Sequence, residues 1–140
     1  MAEPRQTNAV ILRRVNFGDQ DLIVTVLGRE TGKFSAMAKS ARASKKRFGG
    51  GLQPMRRLRL NYSHQASRNM AFLRDIDVLE DFSGLESSFD KITIASYATE
   101  LVREIVQEAH PEPETFDLLI ALYADLAAEA SAGDGALSIL

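Results

Sequence analysis

Asn8 to Ser40 reads NAVILRRVNFGDQDLIVTVLGRETGKFSAMAKS, three β-prone segments cut by two turn signals. Asn8–Asn16 is apolar and rich in strand formers, and Phe17-Gly18-Asp19 supplies a turn. Gln20–Leu27 is apolar or β-branched on both faces, which suits a strand covered on both sides. Gly28-Arg29-Glu30-Thr31-Gly32 has hairpin length with glycine at each end, and Lys33–Ser40 alternates as a third strand.

Working outward, Ala41–Leu52 is basic, glycine-rich and without periodicity, and is expected to be a mobile loop. Pro54–Ser63 and Asn69–Leu79 give a fourth and fifth strand. Five short strands with one long connection between the third and fourth match an OB-fold β-barrel, although SH3-like barrels have a similar strand count. After Asp81 the apolar period changes from two to 3.6. Ile94, Ala98, Leu101, Val102, Ile105 and Ala109 fall on one helical stripe, with Ser87 and Asp90 as its expected N-terminal cap. Pro113 can open a second helix, expected from Glu114 to Ala130, with Phe116, Leu119, Ile120, Tyr123, Leu126 and Ala127 on its apolar face. Ala136–Leu140 is expected to begin a further helix whose remainder lies beyond the sequence. The fold class is therefore α+β: a five-stranded OB-type barrel over residues 1–80, then the start of an incomplete helical domain over 81–140.

A length of 140 residues and 45% hydrophobic composition support a real core. No cysteine is present, which excludes disulfides, thiolate zinc sites and a cysteine nucleophile within these residues. His64 and His110 fall in different elements, so no metal site or other cofactor is expected. The N-terminus lacks a secretory pattern and no apolar run reaches the ~18 residues of a membrane span, so a cytoplasmic protein is expected. The formal charge of -2 conceals a steep asymmetry. Residues 1–30 balance at four of each sign, Thr31–Arg74 carries +11 without one Asp or Glu, and Asp75–Leu140 carries -13.

That acid-free run is the strongest functional signal. Lys33 and Lys39 share parity away from Phe34, Ala36 and Ala38, and Arg57 and Arg59 share parity away from Leu58, Leu60 and Tyr62. An apolar inner face and one cationic outer face are expected, extended by Arg42 and the Lys45-Lys46-Arg47 loop. Such a face neutralises phosphates and releases counterions, which favours single- and double-stranded DNA as partners. A merely solvated surface is the plainer reading, but 44 residues without an acid weigh against it. An anionic membrane surface or an acidic protein tail is the competing partner, and the latter would make the chain a protein-interaction adaptor. Phe48, within the basic loop, is a candidate for stacking on a base, with loop anchoring as the equal alternative. Phe17 in its turn can serve either way, whereas Phe34, Tyr62 and Phe72 are expected in the core. One of the adjacent Arg13 and Arg14 should reach the barrel rim; Arg56 and Arg74 fall on apolar parity, which points to bulges or strand ends.

Catalytic signals are weak. Asp75 and Asp77 share parity and could in principle hold Mg²⁺, but an acidic edge leading into the helices is the simpler account. Gly49-Gly50-Gly51 has no following Lys-Ser/Thr and opens no helix, so it is no phosphate loop. A non-enzymatic binding protein is expected.

Ala9-Val10-Ile11-Leu12-Arg13, Asp19-Gln20-Asp21-Leu22-Ile23-Val24 and Glu30-Thr31-Gly32-Lys33 together resemble the start of the bacterial RecO family. Ala38-Lys39-Ser40-Ala41-Arg42, Lys45 and Gly51-Leu52-Gln53-Pro54 are similar to its most distinctive segment. Ala95-Ser96-Tyr97, Glu100-Leu101, and Phe116 with Leu119, Leu122 and Leu126 are similar to its first helices. The resemblance implies an OB domain, a helical domain and often a four-cysteine zinc module, which this sequence does not include. It implies a nucleoid-associated recombination mediator that binds single- and double-stranded DNA and anneals complementary strands. With RecR and single-stranded DNA-binding protein, such a mediator helps load RecA. Ser40 stands where the family usually has glycine, and Met55 where an aromatic is common.

Overall fold

The computed structural model describes residues 3–48, 50–64 and 70–129. The strands are β1 (Glu3–Phe17), β2 (Asp21–Gly28), β3 (Gly32–Ala38), β4 (Arg57–His64) and β5 (Ala71–Glu80). They close into a barrel in the order β1-β2-β3-β5-β4, with β3 and β5 parallel and the other neighbours antiparallel. That closure leaves no open sheet edge, as an OB-type barrel requires. A short helix, α1 (Lys45–Phe48), interrupts the connection between β3 and β4, where a loop without structure was expected. Arg68, Gly49 and the expected helix start at Ala136–Leu140 lie outside the described residues.

Period-two patterning fills the barrel. Ala9, Ile11, Leu22, Val24, Val26, Leu58, Leu60, Tyr62, Ala71 and Leu73 point inward and form one core. Phe34 packs its ring on Tyr62 with centroids 5.1 Å apart. β1 is long enough to serve two partners because it bends at a bulge: Ile11 pairs with Val26 and Arg13 with Thr25, leaving Leu12 as the extra residue. Val10, Leu12 and Leu27 thus face outward and are still buried, because the helices cover that part of the barrel.

Beyond β5 a 3-10 turn (Ser83–Ser87) leads into α2 (Phe89–Ile105) and α3 (Pro113–Ala128). Ser88 rather than Ser87 caps α2, its hydroxyl accepting the Asp90 N–H at 3.2 Å. Ser87 instead donates to the Gly84 carbonyl. Pro113 occupies the first turn of α3, and Phe116, Leu119, Tyr123 and Leu126 are its buried face, as the sequence pattern indicates. The stripe assigned to α2 needs correction. Its buried residues are Lys91, Ala95, Thr99 and Val102, while Ile94, Leu101 and Ile105 are exposed. Small residues win that contact because α3 brings Tyr123 against it: Thr99 donates to the Ala95 carbonyl and Tyr123 shares a hydrogen bond with Thr99. Ala109 falls beyond the helix, in the α2–α3 connection.

Candidate nucleic-acid interface

One turn sets the geometry of one end of the barrel. Gly18 adopts φ +62 in the β1–β2 turn, a conformation that favours glycine, and reverses the chain at Phe17 and Asp21. The β3–β4 connection then folds onto this turn: Arg42 N–H donates to the Gln20 carbonyl at 3.0 Å, and Ser40 N–H donates to Asp21 Oδ1 at 2.7 Å. Arg14, inward by parity at the barrel mouth, donates from Nη1 to the Leu52 carbonyl at 3.2 Å. Phe48 and Leu52 are each 3% exposed and belong to the barrel core. The expectation that Phe48 stacks on a base is therefore corrected; it anchors the loop by filling the mouth, and Arg47 lies over its ring at 4.8 Å.

The nine residues proposed from sequence separate into distinct groups. Lys39, Arg42 and Lys46 are exposed at this end, and α1 opens with Lys45 beside them in sequence. Arg47 is half-buried, bonded to Ser44 Oγ at 3.3 Å and to the Lys39 carbonyl, so it braces the loop. Lys33 goes elsewhere: its Nζ donates to the Arg103 carbonyl at 3.0 Å, near the C-terminus of α2, where a cation is favoured by the helix dipole. Its expected place on a free outer face is corrected. Arg57 and Arg59 do point outward from β4, but Arg57 bonds Glu80 at 2.9 Å and Arg59 lies 3.6 Å from Asp77. The single continuous cationic face is thus corrected to one exposed cluster and a separate row of ion pairs. β4 carries that row because β5, its ladder neighbour, supplies the first acids after the acid-free run.

Sequence reasoning left two further outward cations without a place, and one of them, Arg74, lines a shallow surface pocket with Pro4, Arg5, Gln6, Asn61 and Asp75. Arg13 faces outward after the β1 bulge, and Arg74 is the extra residue of a β5 bulge, since Tyr62 pairs with Leu73 and Asn61 with Asp75. That bulge answers the parity anomaly of Arg74, and Arg56 sits just before β4, at a strand end. Among the described residues Arg13, Lys39, Arg42, Lys46 and Arg74 make no ion pair. Between them runs an apolar row. Val15 pairs with Ile23, Ile23 with Met37, and Met37 with Phe72, all facing away from the core. At the usual strand spacing of about 4.8 Å, four strands span roughly 14 Å. Phe72 is corrected from core to this outward row: Ala71 and Leu73 are the inward residues of β5. Phe17 continues the surface at the turn with 50% exposure, and Val15 is 44% exposed. Alternation across Ala71-Phe72-Leu73 was the available signal. The carboxylates nearest in sequence are Asp19 and Asp21, the latter already engaged by Ser40. On β5, Asp75 accepts from Asn61 and Asp77 faces Arg59, so the pair does not stand free as a metal site.

A closed β1-β2-β3-β5-β4 barrel carrying an apolar and cationic outer surface, followed by packed helices, defines the OB-fold class joined to a helical unit. Within that class, residues 1–82 match the family described as Recombination protein O N terminal, and 86–135 match Recombination protein O C terminal. The chain belongs to the Recombination protein O family. It is 41% identical over 112 residues to a protein of Anaeromyxobacter dehalogenans (strain 2CP-C) named DNA repair protein RecO, covering 80% of this chain and 44% of the relative. Proteins of the same name from Myxococcus xanthus and Salinibacter ruber are 38% and 36% identical, over 80% and 82% of this chain and 46% and 44% of theirs. The chain thus spans less than half the length of these relatives. Among the described residues no helix is long and apolar enough to cross a membrane, and no group of three or more His, Cys, Asp or Glu is placed to hold a metal ion.

Proposed function

We propose that this chain is the DNA-binding portion of a recombination mediator acting in DNA repair, and that it binds without catalysing a reaction. The carrying observation is the coincidence, on the outer wall of the barrel, of cations that make no ion pair among the described residues and an outward apolar row. Arg13, Lys39, Arg42, Lys46 and Arg74 supply phosphate contacts, and exposed Phe17 and Val15 supply an apolar surface on which unstacked bases lie. A single strand fits both features at once, whereas a duplex would engage chiefly the cations. Cations that neutralise the phosphates of a bound strand also reduce the repulsion that opposes its annealing to a complement. The unit doing this is the barrel, residues 1–80; residues 81–140 begin the helical unit, whose surplus of acids repels DNA and confines it to the barrel. Within the family reading, RecR and single-stranded DNA-binding protein are its partners in loading RecA, in the bacterial cytoplasm at the nucleoid.

The test is fluorescence anisotropy of a labelled single-stranded oligonucleotide. Arg42→Glu with Lys46→Glu should weaken binding by tenfold or more, and Arg103→Glu should leave it unchanged. Little DNA binding at low salt, alongside tight binding of an acidic tail peptide, would replace this reading with that of a protein-interaction adaptor.

A further inference from the structure

The opposite mouth of the barrel holds a recess that the DNA track above does not use. β1 and β4 extend as a pair from Thr7↔Leu60 to Glu3↔His64, overhanging the β2–β3 turn. Arg5 stands opposite Tyr62 in this ladder and shares the inward parity of Thr7 and Ala9. Gly32, at φ +80, packs against the His110 backbone so closely that a Cβ there would meet its nitrogen at 2.8 Å, and the α2–α3 connection closes one side. Ala109 N–H donates to the Lys33 carbonyl at 2.9 Å and fixes that wall.

The resulting cavity has a volume of about 320 Å³ and is lined by Arg5, Thr31, Phe34, Tyr62, His64 and Ala109. This lies at the small end of ligand sites, which run roughly 300–1,000 Å³. Its floor is aromatic: Tyr62 is 4% exposed, and half-buried Phe34 rests on it at 5.1 Å with a tilt of 31°. Its rim carries Arg5 and His64, and among the described residues no carboxylate lines it. Among the described residues Arg5 makes only a long ion pair, 3.8 Å, to exposed Glu3. The floor is continuous with the barrel core, so a strand cannot thread through.

We infer that this recess receives the terminal nucleotide of a single strand, its base stacked on Phe34 and its phosphate held by Arg5 and His64. A planar ring carrying an anion matches an aromatic floor beneath a cationic rim, and stacking of one base contributes about 1–3 kcal/mol. The choice of a nucleotide among planar anions rests on the DNA-binding reading given above. The end of a strand, rather than its interior, follows from the closed floor.

The probe is 2-aminopurine deoxyribonucleoside 5′-monophosphate, titrated into the whole chain and followed by its fluorescence, which stacking quenches. Saturable quenching is expected, weakened about tenfold or more by Phe34→Leu and by Arg5→Glu, and unchanged by Arg42→Glu. Absence of saturable quenching, or quenching indifferent to both substitutions, would overturn the inference. Should Phe34→Leu fail to fold, Arg5→Glu at the solvent-exposed rim decides alone. Oligonucleotide binding by anisotropy separates the two readings: binding retained with no quenching of the mononucleotide sinks the terminal site and leaves the DNA track standing.

Discussion

The guanidinium of Arg47 lies 4.8 Å above the ring of Phe48, and that ring sits inside the barrel. A long glycine-containing connection is thereby fixed at the barrel mouth, presenting its other cations outward. Phe48→Ala empties this anchor and should destabilise the fold by about 3–5 kcal/mol, the usual cost of deleting a buried phenyl ring. Urea unfolding measures this; a loss under about 1 kcal/mol would mean the ring does not hold the loop.

Lys33 tests the division between structural and DNA-contacting cations. Because its ammonium serves the Arg103 carbonyl, Lys33→Met should lower the melting temperature by a few degrees, from loss of about 1–2 kcal/mol. Oligonucleotide affinity should stay within twofold. A large drop in affinity with unchanged melting would assign Lys33 to the DNA instead.

Arg29, just past β2, grips Asp117 on α3 through paired bonds of 2.8 and 2.9 Å, tying the barrel to the helices. The hydrogen bond from Arg29 holds the Asp117 carboxyl below the usual value of 3.8. A depressed carboxylate pKa contributes stability above the unfolded pKa and loses it as pH falls through the folded one. Carboxyl NMR titration should show Asp117 with a low midpoint, returned to the ordinary range by Arg29→Ala. An ordinary midpoint in the unaltered protein would remove this link. The pair is solvent-exposed, so only a small part of acid unfolding should depend on it.

Tyr123 is enclosed between α2 and α3, and burial pushes its phenol from 10.0 up to about 12, against the opposing effect of the Thr99 hydrogen bond. A raised phenol pKa gives stability that is complete below the unfolded value and lost as pH rises through the folded one. Phenolate absorbance should therefore show one tyrosine ionising late, above pH 10, and Tyr123→Phe should abolish that step. A late step that survives Tyr123→Phe would contradict the enclosure of Tyr123 between α2 and α3.

Much of the barrel is legible in the sequence because its strands alternate and its turns carry glycine. Gly28 and Gly32 face each other at the β2–β3 turn, and Leu58, Leu60 and Tyr62 point inward as their spacing indicates. Parity fails where a bulge adds a residue: Leu12 and Arg13 fall together on the outside, and so do Arg74 and Asp75. The helical face of α2 is misread for another reason. Large apolar residues dominate a periodicity count, yet close approach of Tyr123 selects Ala95 and Thr99 for the contact and leaves Ile94 and Leu101 outside. The cation cluster is legible only in part. Local sequence reveals the absence of acids from Thr31 to Arg74, but Glu80 and Asp77 reach Arg57 and Arg59 across the ladder between β4 and β5.

The salt dependence of single-strand affinity decides whether these cations meet phosphate. Each phosphate neutralised adds about -0.7 to the slope of log K against log salt. If Arg13, Lys39, Arg42, Lys46 and Arg74 each engage one phosphate, the slope should be about -3 to -4. Arg42→Glu with Lys46→Glu should make it shallower by roughly 1.4, while Arg57→Gln with Arg59→Gln should scarcely alter it. A slope that flattens with the β4 pair and not with the loop pair would put the phosphate contacts on β4 instead.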